Sequence, residues 1–194
     1  MKKRKRRPGI IFLRLLLLAM AVALCAALYV RVERFYMQRA YPIRYDEIVE
    51  REAKNNGLPV SLVYAVIRTE SSFRPGVQSH LGARGLMQIM EETYDWVAFR
   101  LGEAGGDFES LYDAETNIRY GTALLRILLD EFHTLENTLC AYHAGWGNAK
   151  SWLANPAHAP DGKSVENIPF GDTAWYVAKV LETQAIYQKL YGLE

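Results

Sequence analysis

The sequence predicts an all-α domain that follows an N-terminal transmembrane helix. Three observations carry this prediction: apolar positions after residue 44 recur every three or four residues, the alternation typical of strands is scarce, and an apolar segment with a basic flank opens the chain. The chain has 194 residues, of which 50% are hydrophobic and 23% are charged, a composition typical of globular proteins. We therefore expect one folded domain with a substantial core.

The N-terminal segment has the charge pattern of a membrane anchor. Six basic residues stand within the first seven positions, and residues 10–30 are apolar apart from Arg14. We expect residues 1–9 to be a basic cytoplasmic tail and residues 10–30 to cross the membrane once, because basic residues favour the cytoplasmic side. The chain that follows would then lie on the extracytoplasmic side of the cell membrane. A cleaved signal peptide stays open as the alternative, since Ala21-Val22-Ala23 resembles a cleavage site.

The rest of the chain differs in charge from this segment. Residues 31–194 carry a net charge of −6, which argues against a nucleic-acid partner. The two cysteines, Cys25 and Cys140, form neither a disulfide framework nor a zinc pattern. We interpret residues 31–44 as a basic and aromatic linker and residues 45–194 as the working domain.

The first two helices of this domain are delimited by turn-forming residues. A helix from about Tyr45 to Asn55 should stop at Gly57, which favours the left-handed conformation of a helix terminator. Pro59 suits the first turn of the next helix, which extends to about Ser71. The apolar positions of this second helix share one face, and they are Val63, Val66 and Ile67.

The remaining elements follow from the same periodicity and from clusters of Gly, Asn and Pro. In chain order they are a turn-rich loop over 76–85, a segment over 86–101 that is helical in at least its second half, helices over 115–132, 135–142 and from about 147, a long loop over 155–171, and a last helix over 173–191. Gly121 lies in the apolar stripe of the longest of these helices. We expect another helix to pack closely there.

Glu70 is the candidate for chemistry. It lies on the apolar face of the second helix, and burial of an ionised carboxylate is costly, so such a group tends toward a raised pKa. A carboxyl group that holds its proton near neutral pH can act as a general acid toward a glycosidic oxygen. From this position alone, a solvated or salt-bridged glutamate is the favoured interpretation, because most glutamates at helix ends are of that kind.

The residues around Glu70 carry a family resemblance. The segment from Glu70 to Ser79 reads ESSFRPGVQS, and the segment from Gly82 to Met90 reads GARGLMQIM. These segments resemble lytic transglycosylases of the soluble-lytic-transglycosylase type, which have a goose-type-lysozyme-like catalytic domain. Further segments match in the same order, and they are Asn117-Ile118 with Gly121, Ala141-Tyr142-His143-Ala144-Gly145, and Ile168-Pro169-Phe170 ahead of Thr173 and Tyr176-Val177.

The resemblance covers about residues 44–191 and implies a lysozyme-like, goose-type helical fold. It implies that Glu70 is the single catalytic acid and base, that Ser79 lies beside the reacting sugar, and that Gln88 and Met90 line the glycan groove. It further implies that Tyr142 and Tyr176 point into the catalytic centre and that Glu166 binds substrate or orients the cleft. The six residues other than Glu70 also have structural alternatives. Ser79 could be a turn residue and Gln88 a support of the loop backbone. Local packing or another structural role is the alternative for Met90, Tyr142, Tyr176 and Glu166.

The implied activity is cleavage of the β-1,4 bond between N-acetylmuramic acid and N-acetylglucosamine in peptidoglycan. In this family the glutamate protonates the leaving oxygen and then deprotonates the 6-hydroxyl of the sugar, which leaves a 1,6-anhydro end without any metal or organic cofactor. The partners implied are peptidoglycan glycan strands and, through the N-terminal helix, the membrane. Two alternatives stay open: a hydrolytic muramidase and a weakly active peptidoglycan-binding envelope protein.

Four positions depart from the family pattern. His143 stands where Asn is usual, Glu91 where Pro is usual, and Asp172-Thr173-Ala174 where Glu-Thr-Arg is usual. His143 either keeps a polar contact or is only a neighbour of the active tyrosine. The loss of the arginine removes an ion-pair partner near the end of the fold.

Overall fold

The computed structural model describes residues 8–194, and within this range it is helical and contains no strand. The chain divides into two compact units, of which the first ends at Pro42 and the second is Ile43–Glu194. The all-α prediction is confirmed for the described residues. The part of the predicted basic tail that covers residues 1–7 lies outside them.

The first unit consists of one long helix, α1 (Pro8–Ala40). Its segment Phe12–Ala40 is long and apolar enough to cross a membrane, with a mean hydropathy of 2.4 in its most apolar window. Most of the predicted linker is therefore helical, since α1 continues through it to Ala40. Within the predicted linker no Gly or Pro occurs before Pro42, so nothing in its sequence interrupts the helix. The helical conformation is disfavoured for the residue before a proline, here Tyr41, and this accounts for the end of α1 at Ala40.

The second unit is built from helices that follow the predicted order. They are α2 (Asp46–Asn55), α3 (Val60–Glu70), α4 (Glu91–Leu101), α5 (Ala114–Phe132), α6 (Leu135–Ala144), α7 (Trp146–Leu153) and α8 (Gly171–Tyr191). A short 3-10 helix, Phe108–Tyr112, was not predicted. It has only five residues, is capped by the Asp107 side chain, and is too short to show a helical period in the sequence.

Helix α3 is the centre of the domain. Every residue from Ser61 to Ile67 is buried, so neighbouring elements cover the helix on all sides. Helix α8 covers one side, where the ring of Tyr187 stacks on the ring of Tyr64 with centroids 5.3 Å apart. Because α3 is enclosed in this way, the residue at its carboxyl end, Glu70, is held in a fixed place.

The loop between α3 and α4 packs against α5 at Gly121. A Cβ atom at Gly121 would lie 2.3 Å from the Met87 Sδ atom and 2.9 Å from the Met87 Cβ atom. The close approach expected at Gly121 is therefore real, but the expectation of a helix was wrong, because a loop side chain occupies the space. The spacing of small residues indicates where a neighbour comes close and not which neighbour it is.

Replacement of Gly121 by alanine should destabilise the domain, although alanine is the better helix former. The added methyl group overlaps Met87, and we expect the free energy of unfolding to fall by about 1–3 kcal/mol. Urea denaturation followed by tryptophan fluorescence measures this, because all four tryptophans lie in the second unit. The matched control is Gly147→Ala in α7, where an added Cβ meets nothing within 4 Å. A stability gain in both variants, as helix propensity alone predicts, would contradict the packing assignment.

Candidate active site

Glu70 is the last residue of α3, and its side chain is half-buried. The helix presents it on the face of Val66 and Ile67, which are fully buried, so the carboxyl group emerges directly from the core. Burial raises the pKa of Glu70 to about 7, and an interaction with the Tyr176 hydroxyl opposes part of that rise. A carboxyl group with this pKa is partly protonated at neutral pH and can both donate and accept a proton.

Two tyrosines face this carboxyl group. The rings of Tyr142 and Tyr176 are parallel, with centroids 6.5 Å apart and an interplanar angle of 3°. The pKa of each hydroxyl is raised far above its usual value, first by burial and then by the charge of Glu70. Both hydroxyls therefore stay protonated at neutral pH and are available as hydrogen-bond donors.

The two hydroxyls differ in their partners. Tyr142 donates to the Met87 carbonyl oxygen at 2.7 Å, which ties α6 to the loop before α4. The Tyr176 hydroxyl is buried and has no hydrogen bond of full geometry among the residues described. It nevertheless interacts with the Glu70 carboxyl group and lowers the pKa of that group, against the larger effect of burial. A buried donor without a full partner, next to a candidate acid, is available to a ligand.

His143 lies against Tyr176 on the side away from the core. Its ring stacks on the Tyr176 ring with centroids 4.5 Å apart, and its Nδ1 atom is 3.0 Å from the Thr173 Oγ1 atom. Burial lowers the pKa of His143, although the carboxylate of Asp172 works in the opposite direction. The departure from the usual asparagine therefore retains a polar contact and adds a flat ring behind the tyrosine.

The loop between α3 and α4 contains Ser79 and Gln88, and both side chains bind its backbone. The Ser79 Oγ atom accepts a hydrogen bond from the Ala83 backbone N–H at 3.0 Å. The Gln88 Nε2 atom donates to the carbonyl oxygens of Val77 and Gly85 at 3.1 and 2.8 Å. These contacts match the structural alternatives for the two residues, and their contact with a glycan stays a prediction.

Asn117 is a residue that sequence reasoning identified only as part of a matching segment. It is fully buried in α5, and its Nδ2 atom donates to the carbonyl oxygens of Arg84 and Leu111 at 3.0 and 2.8 Å. Its Oδ1 atom accepts the Met87 backbone N–H at 2.7 Å. Gly85 permits this approach, because a Cβ there would lie 2.1 Å from the Asn117 Nδ2 atom. An asparagine inside an apolar helical stripe was the signal for this role.

The other two predicted residues lie at the edge of this arrangement. Met90 precedes α4 and is 40% exposed. Glu166 is exposed in the loop before α8, and its backbone N–H donates to the His158 carbonyl oxygen at 2.9 Å. Within residues 8–194, no contact joins the Glu166 side chain to Glu70 or to either tyrosine. The structure thus brings Glu70, Tyr142 and Tyr176 together, while the roles of Met90 and Glu166 stay predictions.

A helical domain with one sheltered carboxyl group at the end of its central helix defines a lysozyme-like protein. The comparison with family models makes this specific: the chain belongs to the family of the Transglycosylase SLT domain, whose model matches residues 47–165.

Relatives of known name agree with this assignment. The chain is 34% identical over 160 residues to the soluble lytic murein transglycosylase of Escherichia coli (strain K12), which covers 81% of this chain and 25% of the relative. It is 30% identical over 172 residues to the membrane-bound lytic murein transglycosylase C of Yersinia pestis (strain Pestoides F), which covers 75% of this chain and 47% of that relative. The chain thus spans about a quarter of the length of the soluble relative.

Solved structures agree as well. The 70 kDa soluble lytic transglycosylase from Escherichia coli superposes with a TM-score of 0.73 and 34% identity, over 80% of this chain and 26% of that one. A complex of the 70 kDa soluble lytic transglycosylase with bulgecin A gives a TM-score of 0.74 at the same identity and the same coverage. The lysozyme-like fold of the domain is therefore confirmed.

Replacement of Tyr176 by phenylalanine should raise the pKa of Glu70 above its present value of about 7, because the hydroxyl that lowers it is lost. The measurement is a carbon NMR titration of glutamate-labelled protein, with the Glu70 signal assigned by its absence from the Glu70→Gln variant. Tyr142→Phe is the matched control, since that hydroxyl donates to Met87 and should leave the Glu70 pKa close to the wild-type value. An unchanged or lower Glu70 pKa in Tyr176→Phe would refute the assigned interaction.

Asn117→Ala should lower the free energy of unfolding by about 2–4 kcal/mol. It removes the side-chain partner of the Met87 N–H and of the Leu111 carbonyl oxygen, and one of the two partners of the Arg84 carbonyl oxygen, which also accepts the Ile89 N–H. Urea denaturation measures the loss. Asn148→Ala is the control, since that exposed side chain donates a single hydrogen bond to Ala144. Equal losses in the two variants would show that Asn117 does not organise the loop.

Proposed function

We propose that residues 45–194 form a peptidoglycan lytic transglycosylase, which cleaves the β-1,4 bond between N-acetylmuramic acid and N-acetylglucosamine without water. The observation that carries the proposal is the pKa of about 7 of Glu70, a carboxyl group that burial keeps partly protonated. Membership of the SLT family and the names of the relatives support the substrate class.

The proposed reaction uses Glu70 twice. Its carboxyl proton passes to the glycosidic oxygen as the bond from that oxygen to the anomeric carbon of N-acetylmuramic acid breaks. The 6-hydroxyl oxygen of the same sugar then bonds to the anomeric carbon, and its proton passes to the Glu70 carboxylate, which restores the acid. No water is consumed, one C–O bond breaks as another forms, and no atom changes its oxidation state, so proton transfer by Glu70 is sufficient without a metal or an organic cofactor. A hydroxyl already held within the same sugar has the rate advantage of an intramolecular nucleophile.

The surroundings of Glu70 favour this reaction over one that uses two carboxylates. A retaining glycosidase places its two carboxyl groups about 5–5.5 Å apart, and a carboxylate at that distance would raise the pKa of the acid. Within residues 8–194, burial and Tyr176 are the causes that set the Glu70 pKa, and no acidic side chain is among them. The hydroxyls of Tyr142 and Tyr176 both face Glu70, and the Tyr176 hydroxyl, which interacts with that carboxyl group, would donate to the substrate.

The proposal gives the loop before α4 the role of a groove wall. Ser79 would lie beside the reacting sugar, and Gln88 and Met90 would contact the glycan. The two donors of the Gln88 amide are engaged by loop carbonyls, so its remaining acceptor oxygen would face the sugar. Glu166, exposed in the loop before α8, would bind substrate or orient the cleft.

The proposed location is the cell membrane. Helix α1 and the membrane-bound Yersinia relative support membrane association. We propose that α1 crosses the membrane once, with the catalytic domain on the extracytoplasmic side. The mass of the membrane-extracted protein separates this from a cleaved signal peptide, because cleavage near residue 23 would remove the basic tail and most of the apolar segment.

Incubation of the full-length protein in detergent with purified peptidoglycan should release fragments with 1,6-anhydro ends, detected by mass spectrometry. Glu70→Gln should lower the rate by about 10²–10⁴-fold, because glutamine cannot donate or accept the proton. Glu47→Gln, at an exposed glutamate in the first turn of α2, should keep the wild-type rate. Reducing ends instead of anhydro ends would identify a hydrolytic muramidase. Binding without any cleavage would identify a peptidoglycan-binding protein.

A further inference from the structure

The two tyrosines that face Glu70 are held in different ways. The Tyr142 hydroxyl donates to the Met87 carbonyl oxygen at 2.7 Å, and this bond fixes the direction of the Tyr142 ring. The Tyr176 hydroxyl is buried and makes no bond of this kind within residues 8–194. The torsion that turns a tyrosine ring has only a broad intrinsic preference. The direction in which the Tyr176 hydroxyl points is therefore set by what packs against its ring.

The side chain that packs on the Tyr176 ring is His143 of α6. The two rings are stacked, with centroids 4.5 Å apart and an interplanar angle of 29°. The Tyr142 ring is parallel to the Tyr176 ring but more distant, with a centroid separation of 6.5 Å. Aromatic pairs in contact have centroids about 4.5–7 Å apart, so the histidine contact is at the close end of this range. The imidazole therefore limits how far the Tyr176 ring can turn.

The His143 ring is itself held by α8. Its Nδ1 atom lies 3.0 Å from the Oγ1 atom of Thr173, which is buried in the first turn of that helix. Thr173 and Tyr176 are three residues apart and so lie on the same face of α8. The hydrogen bond fixes the direction of the imidazole, and its flat face then lies on the tyrosine one turn further along the helix.

The imidazole acts through its shape and not through a charge. Burial lowers the pKa of His143, against the opposite effect of the exposed Asp172 carboxylate, so the ring is neutral at neutral pH. Asp172 and Tyr176 are the titratable groups that face His143 from α8. Burial and Tyr176 are the causes that set the Glu70 pKa, and His143 is not among them. An effect of His143 on Glu70 is therefore transmitted by Tyr176.

We propose that His143 is a positioning residue, which holds the Tyr176 hydroxyl at the Glu70 carboxyl group while Thr173 fixes the imidazole. Asparagine, the usual residue at this position of the family, has no ring to stack on the tyrosine. The effect on catalysis rests on the function proposed above, in which the Tyr176 hydroxyl would donate to the substrate. The effect on Glu70 itself does not require any cleavage.

The first test measures the Glu70 pKa by carbon NMR titration in two variants. In His143→Ala the pKa should rise above the wild-type value of about 7, because the hydroxyl that lowers it is no longer held in place. His143→Phe keeps a stacked ring and should keep the wild-type value. An unchanged pKa in His143→Ala would overturn the proposal. So would a lower one, which would show that the imidazole only excludes water, or an equal rise in His143→Phe.

The second test separates kcat from KM for peptidoglycan cleavage by the full-length protein in detergent. His143→Asn should lower kcat about fivefold, the factor expected for the loss of one stacked ring pair, and leave KM unchanged. His143→Phe should retain most of the wild-type kcat. The matched control is His133→Asn, at an exposed histidine that ends α5 with φ of 63°, a conformation that asparagine tolerates. It should keep the wild-type kcat.

Thr173→Val tests whether the threonine acts through the histidine. Alone it should lower kcat less than His143→Asn does, and the double variant should be no slower than His143→Asn, because without the imidazole Thr173 has no effect on Tyr176. Additive losses, a higher KM at unchanged kcat, or an equal loss in His143→Phe would overturn the proposal. If the wild type cleaves nothing, the proposed function fails, and the Glu70 titration still decides whether His143 positions Tyr176.

Discussion

The burial of one carboxyl group is the constraint on which the site depends. Glu70 ends a helix that is enclosed along most of its length, so its carboxylate form would be poorly hydrated, and no cationic group is among the causes that shift its pKa. Burial therefore favours the protonated form. The stacking of Tyr187 on Tyr64 joins α8 to α3, and α8 also carries Tyr176, which interacts with Glu70.

The loop beside Glu70 is shaped by polar side chains rather than by regular secondary structure. Gln88 holds it from within, with φ of 50° at its own position, and Asn117 holds it from α5. Gly85 is required because its Cβ would collide with the asparagine. A loop held from two directions in this way is rigid enough to serve as the wall of a cleft, and such preorganisation reduces the entropy lost when a ligand binds.

Much of this arrangement was predictable because it is written in local patterns. Gly57 and Pro59 delimit neighbouring helices, so the helices followed from periodicity and turn residues. Periodicity placed Glu70 on an apolar face, but the family resemblance of the segments around it was needed to identify it as the acid. Long-range pairing was not predictable in the same way. The space beside Gly121 belongs to Met87 instead of a helix, and the residue that organises the loop is Asn117, whose three partners lie at separate places along the chain. The single 3-10 turn at Phe108–Tyr112 has no periodic signal at all.

The contact between Met87 and Gly121 has a consequence for redox chemistry. The Met87 side chain is fully buried, and its sulfur occupies the space that a Cβ atom at Gly121 of α5 would need. Oxidation to the sulfoxide adds a polar oxygen, so the closed domain protects this methionine and disfavours the oxidised product. Peroxide can reach the sulfur only when the loop lifts from the helix. The rate at which Met87 is oxidised therefore measures how often the loop between α3 and α4 separates from α5.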